Sequence, residues 1–169
     1  MLNKNVSKLL NEQINKEMFS AYLYLDMAHY YINKGLEGFA NWFKVQAKEE
    51  MDHATLFIEY LQNNGVEVEL DAIAKPTMLY KDDRVLLVEA LKHEEFVTAS
   101  INTIYEEALK AHEFKTQEFL HWFIKEQVEE EKNATDLISA FDLHYPHGVF
   151  ALDGKLQARV YQAPSLKLN

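Results

Sequence analysis

Residues 48–54 read KEEMDHA, in the middle of a stretch whose apolar residues otherwise recur with the period of an amphipathic helix. Stepping by alternating threes and fours gives the stripe Phe39, Phe43, Gln46, Glu50, His53, Phe57, Tyr60. Glu50 and His53 therefore fall on the face that a helix buries. A carboxylate placed there alone would be heavily penalised, so the stretch asks for a partner.

Three further stripes show the same interruption. One runs Leu10, Ile14, Glu17, Ala21, Tyr24, Ala28, Tyr31; another Leu87, Ala90, Glu94, Val97, Ile101, Ile104, Ala108. The last runs Thr116, Leu120, Phe123, Gln127, Glu130, Ala134, Leu137, Phe141. Period and breaks predict four long helices, over about 5–33, 37–64, 83–111 and 114–142. Gly35 and Gly65 stand where left-handed glycines end helices. The segment 65–83 carries Pro76 and a short β-like alternation but no helical stripe. It is long enough to run the height of a bundle about 42 Å tall at 1.5 Å per residue. The expected fold is all-α: two antiparallel helix pairs joined by one long crossover between the second and third helices. One domain covers 1–169, with a short fifth helix or ordered tail over about 143–169, where Pro146, Gly148 and Gly154 break the pattern.

Composition narrows the partners. A net charge of −10 with no basic cluster argues against nucleic acid and for cations. The chain has no cysteine, which excludes disulfides, thiolate metal sites and cysteine nucleophiles, and is compatible with a reducing cytosol. The start has no uninterrupted apolar run and no segment reaches about 18 consecutive apolar residues. A soluble, cytoplasmic protein without membrane contact is expected.

If the four helices span one height, Glu17, Glu50, His53, Glu94, Gln127 and Glu130 share a layer. Isolated surface positions would explain any one of them, and a proton-sharing network would explain their burial. A pair of divalent ions explains the mixture of groups. Glu50 and His53, at i and i+3, project from adjacent turns of one face. Glu17 can complete the first ion's shell, Glu50 can bridge, and Glu94 with Glu130 can hold the second. Four carboxylates then balance two divalent cations. One Glu from each of two helices with a Glu-x-x-His on another is the pattern of di-iron carboxylate bundles. The fourth helix departs from it, with Gln127 and Glu130 where a second Glu-x-x-His would stand, so the second ion should be held more loosely. An oxygenase acting on an organic substrate would call for that missing histidine and a substrate pocket, and a non-catalytic binding module leaves the interrupted stripes without a reason.

Through LNEQINKE at 10–17, EEMDHA at 49–54, ALKHEEF at 90–96 and FLHWFIKEQVEEE at 119–131, the chain resembles the non-haem ferritins of bacteria and archaea. The resemblance implies a hollow shell of twenty-four subunits that stores iron as a ferric mineral. It also implies a ferroxidase centre in each subunit that oxidises Fe(II) with dioxygen or hydrogen peroxide. Two irons per centre would match Glu17, Glu50 and His53 for the first, and Glu50, Glu94 and Glu130 for the second, with Gln127 alongside. A third iron site would match Glu49, Glu126, Glu129 and Glu130. Tyr24, two turns after Glu17, is a candidate electron donor or a core tyrosine bonded to a ligand; Trp122 is a weaker one. Met51 matches the haem-ligating methionine of bacterioferritins, but the fourth helix lacks their second Glu-x-x-His, so no haem is expected. His29, His93, His112 and His121 are read as surface residues or satisfied partners. Val149, Phe150 and Leu152 are expected to line a fourfold contact.

Overall fold

The computed structural model describes residues 2–77 and 82–168. Five helices follow in order: α1 (Lys4–Asn33), α2 (Glu37–Asn63), α3 (Asp83–Lys110), α4 (Phe114–His144) and α5 (Val149–Leu156). Among the described residues there is no strand, so the alternation near 65–70 marks an extended segment and not a sheet.

The turns explain why the helices stop where they do. Gly35 and Gly65 have φ of 73° and 72°, conformations that a side chain disfavours. The Leu36 amide reaches back to the Tyr31 carbonyl, and Gly35 to Ile32, both at 3.0 Å. This six-to-one and five-to-two pairing satisfies two carbonyls that the end of α1 leaves open. α2 ends the same way, Val66 on Leu61 and Gly65 on Gln62. α3 repeats the motif without glycine, for His112 takes φ 56° and Glu113 bonds Ala108 at 2.8 Å.

α1 packs along α2, α3 along α4, and α1 along α3. α2 and α4 nowhere approach within 8 Å between Cα atoms among the described residues, and side chains span their gap. The crossover between α2 and α3 climbs the outside of α1. Asn11 bonds Glu69 in both directions, Asn15 reaches the carbonyls of Asp71 and Ala72, and Tyr31 reaches that of Asp83. Residues 78–81 of the expected crossover lie outside the described residues.

α5 is locked onto the start of α2. Leu36, the N-cap residue, offers no side-chain acceptor, and the Asp153 carboxylate accepts from the Phe39 amide at 2.9 Å instead. A Cβ on Gly38 would lie 1.7 Å from the Asp153 carbonyl oxygen, so only glycine admits this approach. Leu152 and Leu156 are buried in the bundle core, Val149 packs against it, and Phe150 is 78% exposed. Of the three residues expected at a fourfold contact, the structure corrects Leu152, which is turned into its own bundle; Val149 is half-buried and Phe150 exposed.

The stripes are buried as expected, Ala134 alone being half-buried. They form two apolar clusters. One is built around Tyr31, Phe39, Phe43 and Phe141, the other around Leu10, Phe57, Ile104 and Phe123. Between them lies a polar layer.

Candidate metal centre

Every residue of the expected layer is buried: Glu17, Glu50, His53, Glu94, Gln127 and Glu130 are each at most 5% exposed. Their placement follows from period alone, since each occupies a stripe position near the middle of its helix. Glu17, Glu50 and His53 are gathered so that one ligand atom from each lies within 4.8 Å of the others, the only such group among the described residues. His53 Nδ1 is 3.2 Å from Glu50 Oε2, and the ring packs edge-on against Trp122 and Phe123, fixing its plane. Gln13, one turn before Glu17, donates to Glu17 Oε1 at 2.8 Å. Gln13 is itself held by Ser100 at 2.6 Å, and Ser100 by Lys16 at 2.6 Å. Glu17 Oε2 is the one buried side-chain atom among the described residues without a hydrogen-bond partner. A hydrogen bond between the two carboxyls lowers Glu17 and raises Glu50, the sense expected when Glu50 carries the shared proton.

Glu94 and Glu130 stand in the same layer, outside that close group. Tyr24 donates its hydroxyl to Glu94 Oε1 in a short bond, while Gln127 donates to Glu94 Oε2 at 3.2 Å. Gln46 donates to Glu130 Oε2 at 2.8 Å. A cavity of about 20 Å³, enough for one water-sized ligand, is lined by Tyr24, Gln46, Glu94 and Glu130 among others.

The electrostatics of the layer follow from its burial. Burial, with the charges of Glu94, Glu17 and Glu130 added, pushes the Glu50 carboxyl well above the ordinary range. Burial likewise raises Glu17, and it raises Glu94 to about 8 with help from Glu130 and against the donors Tyr24 and Gln127. Tyr24 is also pushed up by burial and the neighbouring carboxylates, so its phenol stays protonated. Carboxyls so perturbed favour their protonated forms, and a cation among them would offset the same cost.

Three of the four residues expected at a third site, Glu49, Glu126 and Glu129, border a second cavity on the α2–α4 seam together with Trp42, His53, Trp122 and tail residues 159, 160 and 162–165. The fourth, Glu130, lines the first cavity instead. Burial raises Glu49 to about 7 despite Arg159 and raises Glu126 as well. Glu49 is not free there, because Arg159 pairs with its Oε2 at 2.7 Å.

Of the remaining histidines, His29, His112 and His121 are exposed. His93 is half-buried and paired with Ser20 at 2.7 Å; burial lowers it to about 4, so it is neutral at physiological pH. Met51 is 45% exposed on α2. Sequence reasoning did not assign Gln13, Gln46 or Arg159 to the site. Gln13 and Gln46 each precede a site glutamate by four residues, which is a readable signal. Arg159 carries none, since only the tertiary fold brings it to Glu49.

Fold and site together define an antiparallel four-helix bundle with a buried carboxylate and histidine group at mid-height. The ferritin-like domain model matches residues 7–143, and the chain belongs to this ferritin family. The bacterial non-haem ferritin of Campylobacter jejuni is 39% identical over 148 residues, 88% of this chain and 89% of that protein. That of Bacteroides fragilis is 31% identical over 159 residues, 94% of this chain and 100% of that one. A closed form of the Archaeoglobus fulgidus ferritin, made by site-directed mutagenesis, superposes with a TM-score of 0.93 at 35% identity, covering 96% and 100% of the two chains. Membership places the chain among iron-storage, metal-binding proteins.

Proposed function

We propose that this chain oxidises Fe(II) at a two-iron centre inside its own bundle and stores the product as a ferric mineral within a shell of twenty-four copies in the cytoplasm. The observation that carries the reading is the close group of Glu17, Glu50 and His53 with its unpartnered Glu17 oxygen, in a layer where burial raises the Glu17, Glu50 and Glu94 carboxyls. Iron is the substrate. The first Fe(II) is bound by Glu17, Glu50 and His53, and the second by Glu50, Glu94 and Glu130, Glu50 bridging. Each gives up one electron. Two Fe(II) and two protons reduce dioxygen to hydrogen peroxide, and two more of each reduce the peroxide to water.

The roles of the surrounding residues follow from their bonds. Gln13 orients Glu17, Gln46 orients Glu130, and Gln127 and Tyr24 hold the two oxygens of Glu94. The second position has no histidine and its carboxylates are shared with donors, which favours binding that is loose enough to pass iron on. Glu49, Glu126, Glu129 and Glu130 make up the next position on that route. Tyr24 is close enough to Glu94 to serve as an electron donor. No haem takes part in this reading.

Aerobic addition of Fe(II) to the metal-free protein tests it. Rapid oxidation should be followed by soluble retention of many irons per chain, and oxidation that halts at two irons with no mineral would overturn storage. Glu50→Ala should abolish fast oxidation while leaving the assembly intact by electron microscopy; a protein that no longer assembles would assign Glu50 a structural role instead.

A further inference from the structure

After α5 the chain does not leave the molecule. Residues 157–168 fold back across the α2–α4 seam, where the two backbones stay apart. The strap is fastened at several points. Asn41 donates to the Arg159 carbonyl at 3.0 Å, Tyr161 bonds Asp52, Trp122 donates to Ser165 at 3.0 Å, and Leu166 and Leu168 lie against the lower core. No regular helix or strand forms within it, and Val160 is 75% exposed.

Arg159 is its centre. The guanidinium lies 4.1 Å over the Trp42 ring and donates to the Trp42 carbonyl at 3.2 Å. Its other nitrogen donates to Gln46 Oε1 and to Glu49 Oε2. The Arg159 and Glu49 side chains are each 16% exposed, so this is no surface ion pair averaged away by water. Gln46 in turn donates to Glu130. One planar cation thus binds Glu49 directly and reaches Glu130 through a single amide, in the cavity that Glu126 and Glu129 border. A lysine could not do this, since it lacks the fork that meets an amide oxygen, a carboxylate and an aromatic face together. With the strap in place Glu49, Glu126, Glu129 and Glu130 do not converge on a common point.

We propose that Arg159 is a resident cation that stands in for a metal at this seam. It neutralises Glu49, keeps it turned away from Glu126 and Glu129, and closes the path from the buried pair until the strap is displaced. The proposal rests on the reading of the buried layer as an iron site, and adds that occupancy of the next position is set by competition between a divalent ion and a guanidinium.

Equilibrium dialysis of the full-length, assembled, metal-free protein against Zn(II), which binds carboxylates and histidine without redox chemistry, tests it. At a free Zn(II) concentration that just saturates the tight positions, Arg159→Gln should bind one more equivalent per chain than the unaltered protein. The increment should vanish in Arg159→Gln/Glu49→Gln. Equal counts in the unaltered and Arg159→Gln proteins, or an increment that survives loss of Glu49, would overturn the proposal. Failure of the buried-site reading shows itself separately, as Zn(II) uptake that Glu50→Ala leaves unchanged. Both tryptophans of the chain touch the strap, Trp42 beneath Arg159 and Trp122 through Ser165, and supply a readout in the unaltered protein. Their emission should shift as Zn(II) is raised beyond the tight equivalents, and emission that stays constant there would overturn the proposal even if Arg159→Gln failed to assemble.

Discussion

Glu50 illustrates how a residue can be costly to the fold and, under the proposed function, necessary to the site. It is 2% exposed and is repelled by Glu94, Glu17 and Glu130. Glu50→Gln keeps shape and needs no proton to be buried neutral, so the metal-free variant should melt several degrees higher than the unaltered protein at pH 8 while losing Zn(II) binding. Calorimetry with and without Zn(II) checks both halves. The pH dependence has a fixed sign. Glu94 titrates near 8 when folded and near 4.5 in its ordinary state, so between these values the folded chain holds a proton that the unfolded one has lost. Stability of the metal-free protein should accordingly fall as pH rises from about 4.5 to about 8, each unit of difference being about 1.4 kcal/mol. Glu94→Gln should flatten that part of the profile. Saturating Zn(II) should flatten it too, because the cation then takes the proton's place.

At the scale of elements, the four long helices were legible because each carries an uninterrupted 3.6-residue period and almost no internal punctuation. Their polar interruptions were legible for the same reason: Glu17, Glu50, Glu94 and Glu130 sit on stripes that pattern alone identifies. What the pattern could not supply is contact between elements distant in sequence. Asp153 capping α2 across 114 residues depends on the placement of α5, as does the contact of Leu152 with the core that corrected its assignment to an outer surface. Arg159 on Glu49 spans 110 residues and is of the same kind. His112 was hidden differently, because its left-handed turn does the work of a glycine with a residue that seldom adopts it. Asp153→Ala should cost about 1–2 kcal/mol by leaving the Phe39 amide without its acceptor, and should free α5. A lowered denaturation midpoint together with loss of amide protection confined to α5 and the start of α2 would establish this. Gly38→Ala should give the same pattern by steric exclusion.

For the whole molecule, the proposed assembly needs outward apolar residues to meet between copies. Phe150 stands 78% exposed on a helix that is otherwise anchored to its own subunit. Phe150→Glu should therefore lower the sedimentation coefficient of the assembly while leaving helical content unchanged, and an unaltered sedimentation profile would remove α5 from the contact.

The polar layer also divides each subunit into two hydrophobic bodies that share helices but not a continuous core. In such a rod the two ends can breathe separately, with the midpoint as a flexure. Within each long helix of the metal-free protein, hydrogen exchange should then be faster near residues 13–17, 46–53, 94–97 and 127–130 than in the turns on either side, a profile unlike the single protected centre of an ordinary bundle. Loading iron would act as a rivet through that flexure, so that a filled subunit is mechanically one piece and an empty one is two.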